Sequence, residues 1–242
     1  MKSNYKNYDH EESVKRIDEI LTTSDASFQE VDSIPSRDKL TFTNGFYVNC
    51  SAIFIDLRDS SNLPSRYKRP SLARIYRSYI SEMVALLNGE SHCAEVNIAG
   101  DCVWAVFDTP YTSDINDTFS TSAKINSLSK ILNCRFRKKK GYNPIKIGIG
   151  LSYGRALMIK AGSKGSTINE VVWMGEVVNY ASHLCNQANK NGNNPILISN
   201  VFYNNLNDTN KGFMSQPWGQ NFYHGNVINV VMDEWLNNNC SD

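Results

Sequence analysis

Apolar and polar positions alternate between two periods along this chain. Phe46 to Leu57 is an almost unbroken apolar run of strand length, the pattern of a strand covered on both faces. Pro70-Ser71 then opens a helix that carries Leu72, Ile75, Tyr76, Tyr79, Ile80, Met83, Val84 and Leu87 on one face, and Asn88-Gly89 stops it. Cys93 to Ile98 and Cys102 to Phe107 read as a hairpin turning at Ala99-Gly100-Asp101, which sets Asp101 at a tight, exposed corner. A weaker helical pattern covers Ser113 to Phe136 and runs into Arg135, Arg137 and Lys138 to Lys140 before Gly141, a solvated helix end. Two strands follow, Ile145 to Tyr153 and Arg155 to Ala161, split by Gly154. After them come a loop at 162–166, a helix from Glu176 to Asn189, a short strand from Pro195 to Ser199 and a last apolar segment, Val227 to Val231.

This order predicts an α+β sandwich, a mostly antiparallel central sheet covered by helices on one side. Residues 1–45 are polar apart from Val14, Ile17, Ile20 and Leu21 at helical spacing, so they read as an extension whose amphipathic helix packs on the body or on a partner chain. Residues 46–200 are expected to form the main domain, and 201–242 a C-terminal extension that completes the sheet.

Charge narrows the function classes. With 25 Lys+Arg against 24 Asp+Glu and a net charge of +1, no whole-chain field recruits nucleic acid or an acidic membrane, and an anionic ligand is gripped locally. No apolar run approaches a membrane span and the N-terminus lacks a secretory core, which predicts a cytoplasmic protein. The six cysteines, 50, 93, 102, 134, 185 and 240, have no metal or disulfide spacing and read as free thiols in a reducing compartment.

Two acids stand out against this background. Asp56 ends the first long strand and Asp101 sits in the neighbouring hairpin turn, so both can converge on one point. An unpaired acid in a strand is costly, whereas paired carboxylates bind divalent cations through hard oxygens. Two such ions suit in-line attack at phosphorus, which points to a nucleoside triphosphate. Arg58-Asp59-Ser60-Ser61 follows at once and offers backbone N–H groups to phosphate oxygens, with Asp59 read as a cap.

Those residues resemble the catalytic domain of class III nucleotidyl cyclases. Phe54-Ile55-Asp56-Leu57 is similar to the first metal motif, Ile98-Ala99-Gly100-Asp101 to the Gly-Asp hairpin, and Trp173-Met174-Gly175-Glu176-Val177-Val178-Asn179-Tyr180-Ala181-Ser182 to the family's Trp-Gly-x-x-Val-Asn segment with one inserted residue. The resemblance implies a head-to-tail homodimer with composite sites: Asp56, the Leu57 carbonyl and Asp101 of one chain hold two Mn2+ or Mg2+ ions, and Asn179 of the other orients the ribose. Phe54, Arg58, Ser60 and Ser61 are the implied substrate contacts. Four residues after Asn179 the family has Arg and this chain has His183, for which Lys160 or Lys164 could substitute. At the two positions where purine cyclases read the base stand Asn97 and Val172.

These departures, with Ile34-Pro35-Ser36-Arg37-Asp38, Asn44-Gly45-Phe46, Arg74-Ile75-Tyr76-Arg77 and Ile159-Lys160-Ala161-Gly162, are similar to the pyrimidine cyclases of bacterial anti-phage defence. That branch implies conversion of UTP, or CTP, into a cyclic nucleotide sensed by a separate effector. A purine cyclase with an atypical pocket and a catalytically dead nucleotide-binding regulator are the other expectations.

Overall fold

The computed structural model describes residues 5–164 and 168–240. In chain order its elements are α1 (His10–Leu21), β1 (Phe28–Glu30), β2 (Gly45–Leu57), α2 (Leu63–Arg66), α3 (Arg69–Asn88), β3 (Cys93–Ala99), β4 (Cys102–Asp108), α4 (Thr112–Lys140), β5 (Ile147–Gly162), β6 (Asn169–Met174), α5 (Glu176–Gln187), β7 (Ile196–Ser199), α6 (Asn200–Asn204), α7 (Asp208–Lys211), β8 (Phe222–Gly225) and α8 (Val230–Cys240). The sheet runs β3-β4-β2-β5-β7-β8, with β1 beside β2 and β6 beside β5. It is mostly antiparallel; β1–β2 and β5–β7 are the parallel pairs among the described strands.

Alternation along β2 explains its unbroken apolar sequence. Ile53, Ile55 and Leu57 enter a core with Ile75, Tyr79 and Met83 of α3 and Phe119 and Ile125 of α4. Phe46, Val48, Cys50, Ala52 and Phe54 enter a second core with Val177, Val178 and Ala181 of α5. Helices therefore cover both faces, not one as the order of elements predicts. Pattern alone reports that β2 is buried twice over but not which helix lies on which side.

Three other expectations are corrected. Ile147 to Gly162 is one 16-residue strand, because Gly154 pairs with Cys50 in a continuous ladder against β2 and makes no turn. The segment after residue 200 adds β8 at Phe222–Gly225, paired with β7, whereas Val227 to Val231 runs outside the sheet into α8. Asn126 and Ser127 of α4 fasten that run by bonds to Val227 O and from Asn229 N. Cys134 and Cys240 form a disulfide between α4 and α8, while Cys50, Cys93, Cys102 and Cys185 are free; a separation of 106 residues carries no pairing signal in the sequence. Of the loop expected at 162–166, Gly165 and Ser166 lie outside the described residues.

The N-terminal segment reaches further into the body than an extension would. Val31, Ile34 and Leu40 pack into the α5-side core, and Ile34 N donates to Asp108 Oδ1 at 3.0 Å. By contrast α1 has no buried residue: its Val14, Ile17, Ile20 and Leu21 are exposed.

Candidate active site

Residues 56 and 101 meet at one end of the sheet. Asp56 lies two residues after Phe54 on β2 and so shares its face, the α5 side. Gly100, at φ 66°, makes the β3–β4 turn in the left-handed region, which delivers Asp101 beside the end of β2. Asp101 is half-buried rather than exposed, and its Oδ2 is buried without a hydrogen-bond partner. Burial pushes Asp56 above the usual carboxylate range, the nearby negative charge of Asp101 adds to this, and Arg58 and Lys190 oppose it. Tyr76 of α3 faces the same pair: burial and the Asp101 charge raise its phenol.

The strain of two like charges and one orphaned buried oxygen is relieved by a cation. This donor set, hard carboxylate oxygens, fits a divalent ion. Among the described residues no cluster of three or more His, Cys, Asp or Glu is placed to hold a metal ion; the backbone carbonyl of Leu57 is the next oxygen along the chain from Asp56.

Arg58 turns inward. Its side chain is 3% exposed; Nη2 donates to Asp56 Oδ2 at 2.7 Å, and Nη1 donates to the carbonyls of Cys185 at 3.1 Å, Asn186 at 3.0 Å and Ala188 at 3.4 Å. It thus satisfies the free carbonyls at the end of α5 and ties that end to Asp56. Close approach of α5 to β5 makes this possible: a Cβ on Gly150 would lie 2.2 Å from Ala181 O and Cys185 N. Asp59 adopts a left-handed conformation, φ 56°, and makes no side-chain cap. Ser60 and Ser61 begin the short turn 60–62 that follows, with Ser61 exposed.

Asn179 and His183 are both exposed on α5, one turn apart on one face. Asn179 precedes Cys185 by six residues, roughly 9 Å along the helix axis, and faces outward. The buried face of α5, Val177, Val178, Ala181, Leu184 and Cys185, is the opposite one.

A second cluster forms on β3 and β4. Asn97, Trp104 and Phe54 are aligned across β3, β4 and β2. Phe54 is buried and stacks on Trp104, centroids 5.1 Å apart, so Phe54 is a core residue and Trp104 carries the accessible part of the pair. Asn97 Nδ2 donates to Glu95 Oε1 at 3.3 Å. Glu95, its side chain 3% exposed, also pairs with Arg37 at 3.0 Å, and Arg37 reaches Glu170 of β6 at 3.3 Å. Val172, two residues along β6, is half-buried beside Ile159. Arg37 therefore links β3, which carries Asn97, with β6, which carries Val172.

The lysines lie elsewhere. Lys160 stands over the Phe42 ring at 5.3 Å, and Lys164 pairs with Glu19 of α1. Asp56 is in register with Gly148 and Lys160 sits twelve residues further along the same strand, on the order of 40 Å away. Within one chain, Lys160 therefore lies far from the two aspartates. Sequence reasoning passed over Arg37, Glu95, Trp104, Glu170, Tyr76 and Lys190. Glu95 had a visible signal, an acid inside a strand, the same feature that marked Asp101.

Comparison with known proteins identifies the family. Residues 43–234 match the family described as Adenylate and Guanylate cyclase catalytic domain. A protein named Uridylate cyclase from Gulbenkiania mobilis is 42% identical over 99% of this chain and 100% of its own length; another of that name from Treponema porcinum is 36% identical over 97% and 83%. Among solved structures, the adenylyl cyclase CyaB from P. aeruginosa superposes with a TM-score of 0.63 at 20% identity, covering 75% of this chain and 95% of that one. Among the described residues no helix is long and apolar enough to cross a membrane. The chain belongs to the adenylate and guanylate cyclase catalytic domain family.

Proposed function

We propose that the protein is a uridylate cyclase: it converts UTP into 3′,5′-cyclic UMP and pyrophosphate. The observation that carries this reading is the near full-length likeness to two uridylate cyclases. It extends beyond the family domain, which starts at residue 43, into the segment that brings Arg37 to Glu95. The base pocket supports it, since apolar Val172 gives a purine's edge groups no partner and each unpaired group costs about 1 to 3 kcal/mol.

In this reading the working unit is a head-to-tail homodimer. Asp56, Asp101 and the Leu57 carbonyl of one protomer would hold two divalent cations, Mn2+ or Mg2+. When bound, such ions lower the pKa of the attacking hydroxyl and offset the charge of the leaving pyrophosphate. Asn179 of the partner subunit orients the ribose so that its 3′-hydroxyl lies in line with the α-phosphate, and the partner's His183 donates a hydrogen bond to the charge that develops there. Ser60 and Ser61 face the polyphosphate. The outward orientation of Asn179 and His183 on α5 supports a site completed between chains. The cyclic nucleotide leaves as a diffusible signal for a separate effector, which suits a role in defence.

The test is direct. Purified protein is incubated with manganese and, separately, UTP, CTP, ATP and GTP, and products are resolved by chromatography. Cyclic UMP as the main product is expected. Turnover of ATP or GTP alone overturns the base assignment, and triphosphate binding without any product overturns catalysis.

A further inference from the structure

An asparagine amide at the base-reading position has no intrinsic preference between uracil and cytosine, because flipping exchanges its donor and acceptor faces. Here the amide has a neighbour that removes the choice. A carboxylate accepts hydrogen bonds and donates none, so only the NH2 group of Asn97 can face Glu95 Oε1, at 3.3 Å. That conclusion follows from the chemistry of the pair, whichever way an amide is drawn. Glu95 is itself immobilised: it is buried, and the Arg37 guanidinium meets the same Oε1 at 3.0 Å. Arg37 is steadied in turn by Glu170.

We propose that Glu95, clamped by Arg37, is a positioning residue that locks the Asn97 amide and thereby makes the enzyme choose uracil over cytosine. The inference rests on the uridylate cyclase reading above. The lock leaves the pocket a fixed edge. Donors from Asn97 Nδ2 and Arg37 gather beside Glu95 Oε1, and the Asn97 Oδ1 acceptor lies next to them. Uracil presents the complement, with O4 accepting from the donor side and N3–H donating to Oδ1. Cytosine in the same register sets its 4-amino group against donors and its unprotonated N3 against an acceptor oxygen, so both contacts fail. A site of buried polar groups rejects a ligand that leaves them unpaired more strongly than it rejects one of the wrong size. Half of this lock lies at residue 37, before the family domain begins at residue 43.

The experiment measures kcat/KM for UTP and for CTP in wild type, Glu95→Gln, Asn97→Asp and the double variant Glu95→Gln/Asn97→Asp, with melting temperatures recorded in parallel. Gln at 95 can donate as well as accept, which frees the amide to flip, so the UTP-to-CTP ratio should fall by on the order of tenfold toward unity. Asn97→Asp sets two carboxylates together and should lose the ratio too. In the double variant Gln at 95 donates to the carboxylate at 97, which removes the repulsion and holds one acceptor oxygen toward the pocket, and the ratio should recover in part. If Glu95 merely tethers residues 31–40, Glu95→Gln lowers the melting temperature and leaves the ratio unchanged; that result overturns the proposal. If Glu95→Gln does not fold, an unchanged ratio in Asn97→Asp overturns it equally. Wild type that uses neither pyrimidine refutes the function reading itself, whereas wild type that prefers UTP with an insensitive ratio refutes the lock alone.

Discussion

The metal half and the base half of the proposed site are built by different means. The metal half is local: Asp56 ends a strand, Asp101 fills the next hairpin turn, and the main-chain path brings them together at one end of β2 with Asp101 Oδ2 left without a partner. The base half is assembled from side chains of residues 37, 95, 97, 104, 170 and 172, on the N-terminal segment and on β3, β4 and β6. The first tolerates little chemical variation, because two carboxylates supply most of the negative charge that a divalent cation needs there. The second can be retuned through its neighbours while the sheet stays intact. One scaffold can thus keep its phosphorus chemistry fixed and change the base it accepts.

Substitutions that separate the two halves should scale accordingly. Asp101→Ala should reduce cyclisation on the order of 10³-fold and abolish manganese binding measured by calorimetry. Its thermal stability should hold, because removal of Asp101 relieves the charge that raises Asp56. Cyclase activity within about tenfold of wild type, roughly 1.4 kcal/mol of barrier, would reassign the metal ligand.

Arg58→Met attacks the fastening instead. It leaves three α5 carbonyls without their donor and Asp56 without its partner, and urea unfolding should show a loss of about 3 kcal/mol. An unchanged midpoint would mean that Arg58 does not brace α5 against the metal end.

Asn97→Ala should lower kcat/KM for UTP by about tenfold, equivalent to one hydrogen bond of about 1.4 kcal/mol, with no change in manganese affinity. Equal kinetics on all four triphosphates before and after the substitution would remove Asn97 from the pocket.

The smallest effect lies outside both halves. Burial holds the His224 imidazole below its ordinary value, and its Nδ1 accepts from Asn194 N at 3.2 Å. The folded state therefore favours neutral His224. Its contribution to stability is present above the unfolded value of about pH 6.5 and is lost as pH falls from there through the lower folded value. His224→Gln should flatten that part of the stability profile, and an unaltered profile would show that another group dominates it. Cyclase kinetics should follow the stability trend of neither wild type nor His224→Gln, since His224 lies on β8.

How much was readable in advance follows the same division. Asp56 and Asp101 were legible because acids interrupt apolar strand sequence, and Gly100 marked the turn. β2, α3 and the β3–β4 hairpin were legible because period and stop signals agree there. The double-sided cover of the sheet was not, because an unbroken apolar run reports burial but not what buries it. Nor was the unity of β5: Gly154 looks like a break in isolation, and only thirteen residues of β2 pairing opposite keep it extended. Arg58 next to serines reads as a phosphate ligand, and its bonds to the carbonyls at the end of α5 are set by packing that the local sequence does not encode. The Arg37–Glu95 pair spans most of sixty residues of chain and depends on the packing of Val31, Ile34 and Leu40, which local patterns do not encode.

The central claim is that each chain carries one half of two different active sites, and subunit mixing tests it most directly. Asp56→Ala and Asn179→Ala are each purified, shown to be inactive on UTP with manganese, then mixed and allowed to exchange subunits. A composite site predicts that activity returns, because a heterodimer holds one site with an intact aspartate pair from one chain and an intact asparagine from the other. Mixtures that stay as inactive as their parents, while exchange is demonstrated by a fluorescent label on each chain, would contradict it.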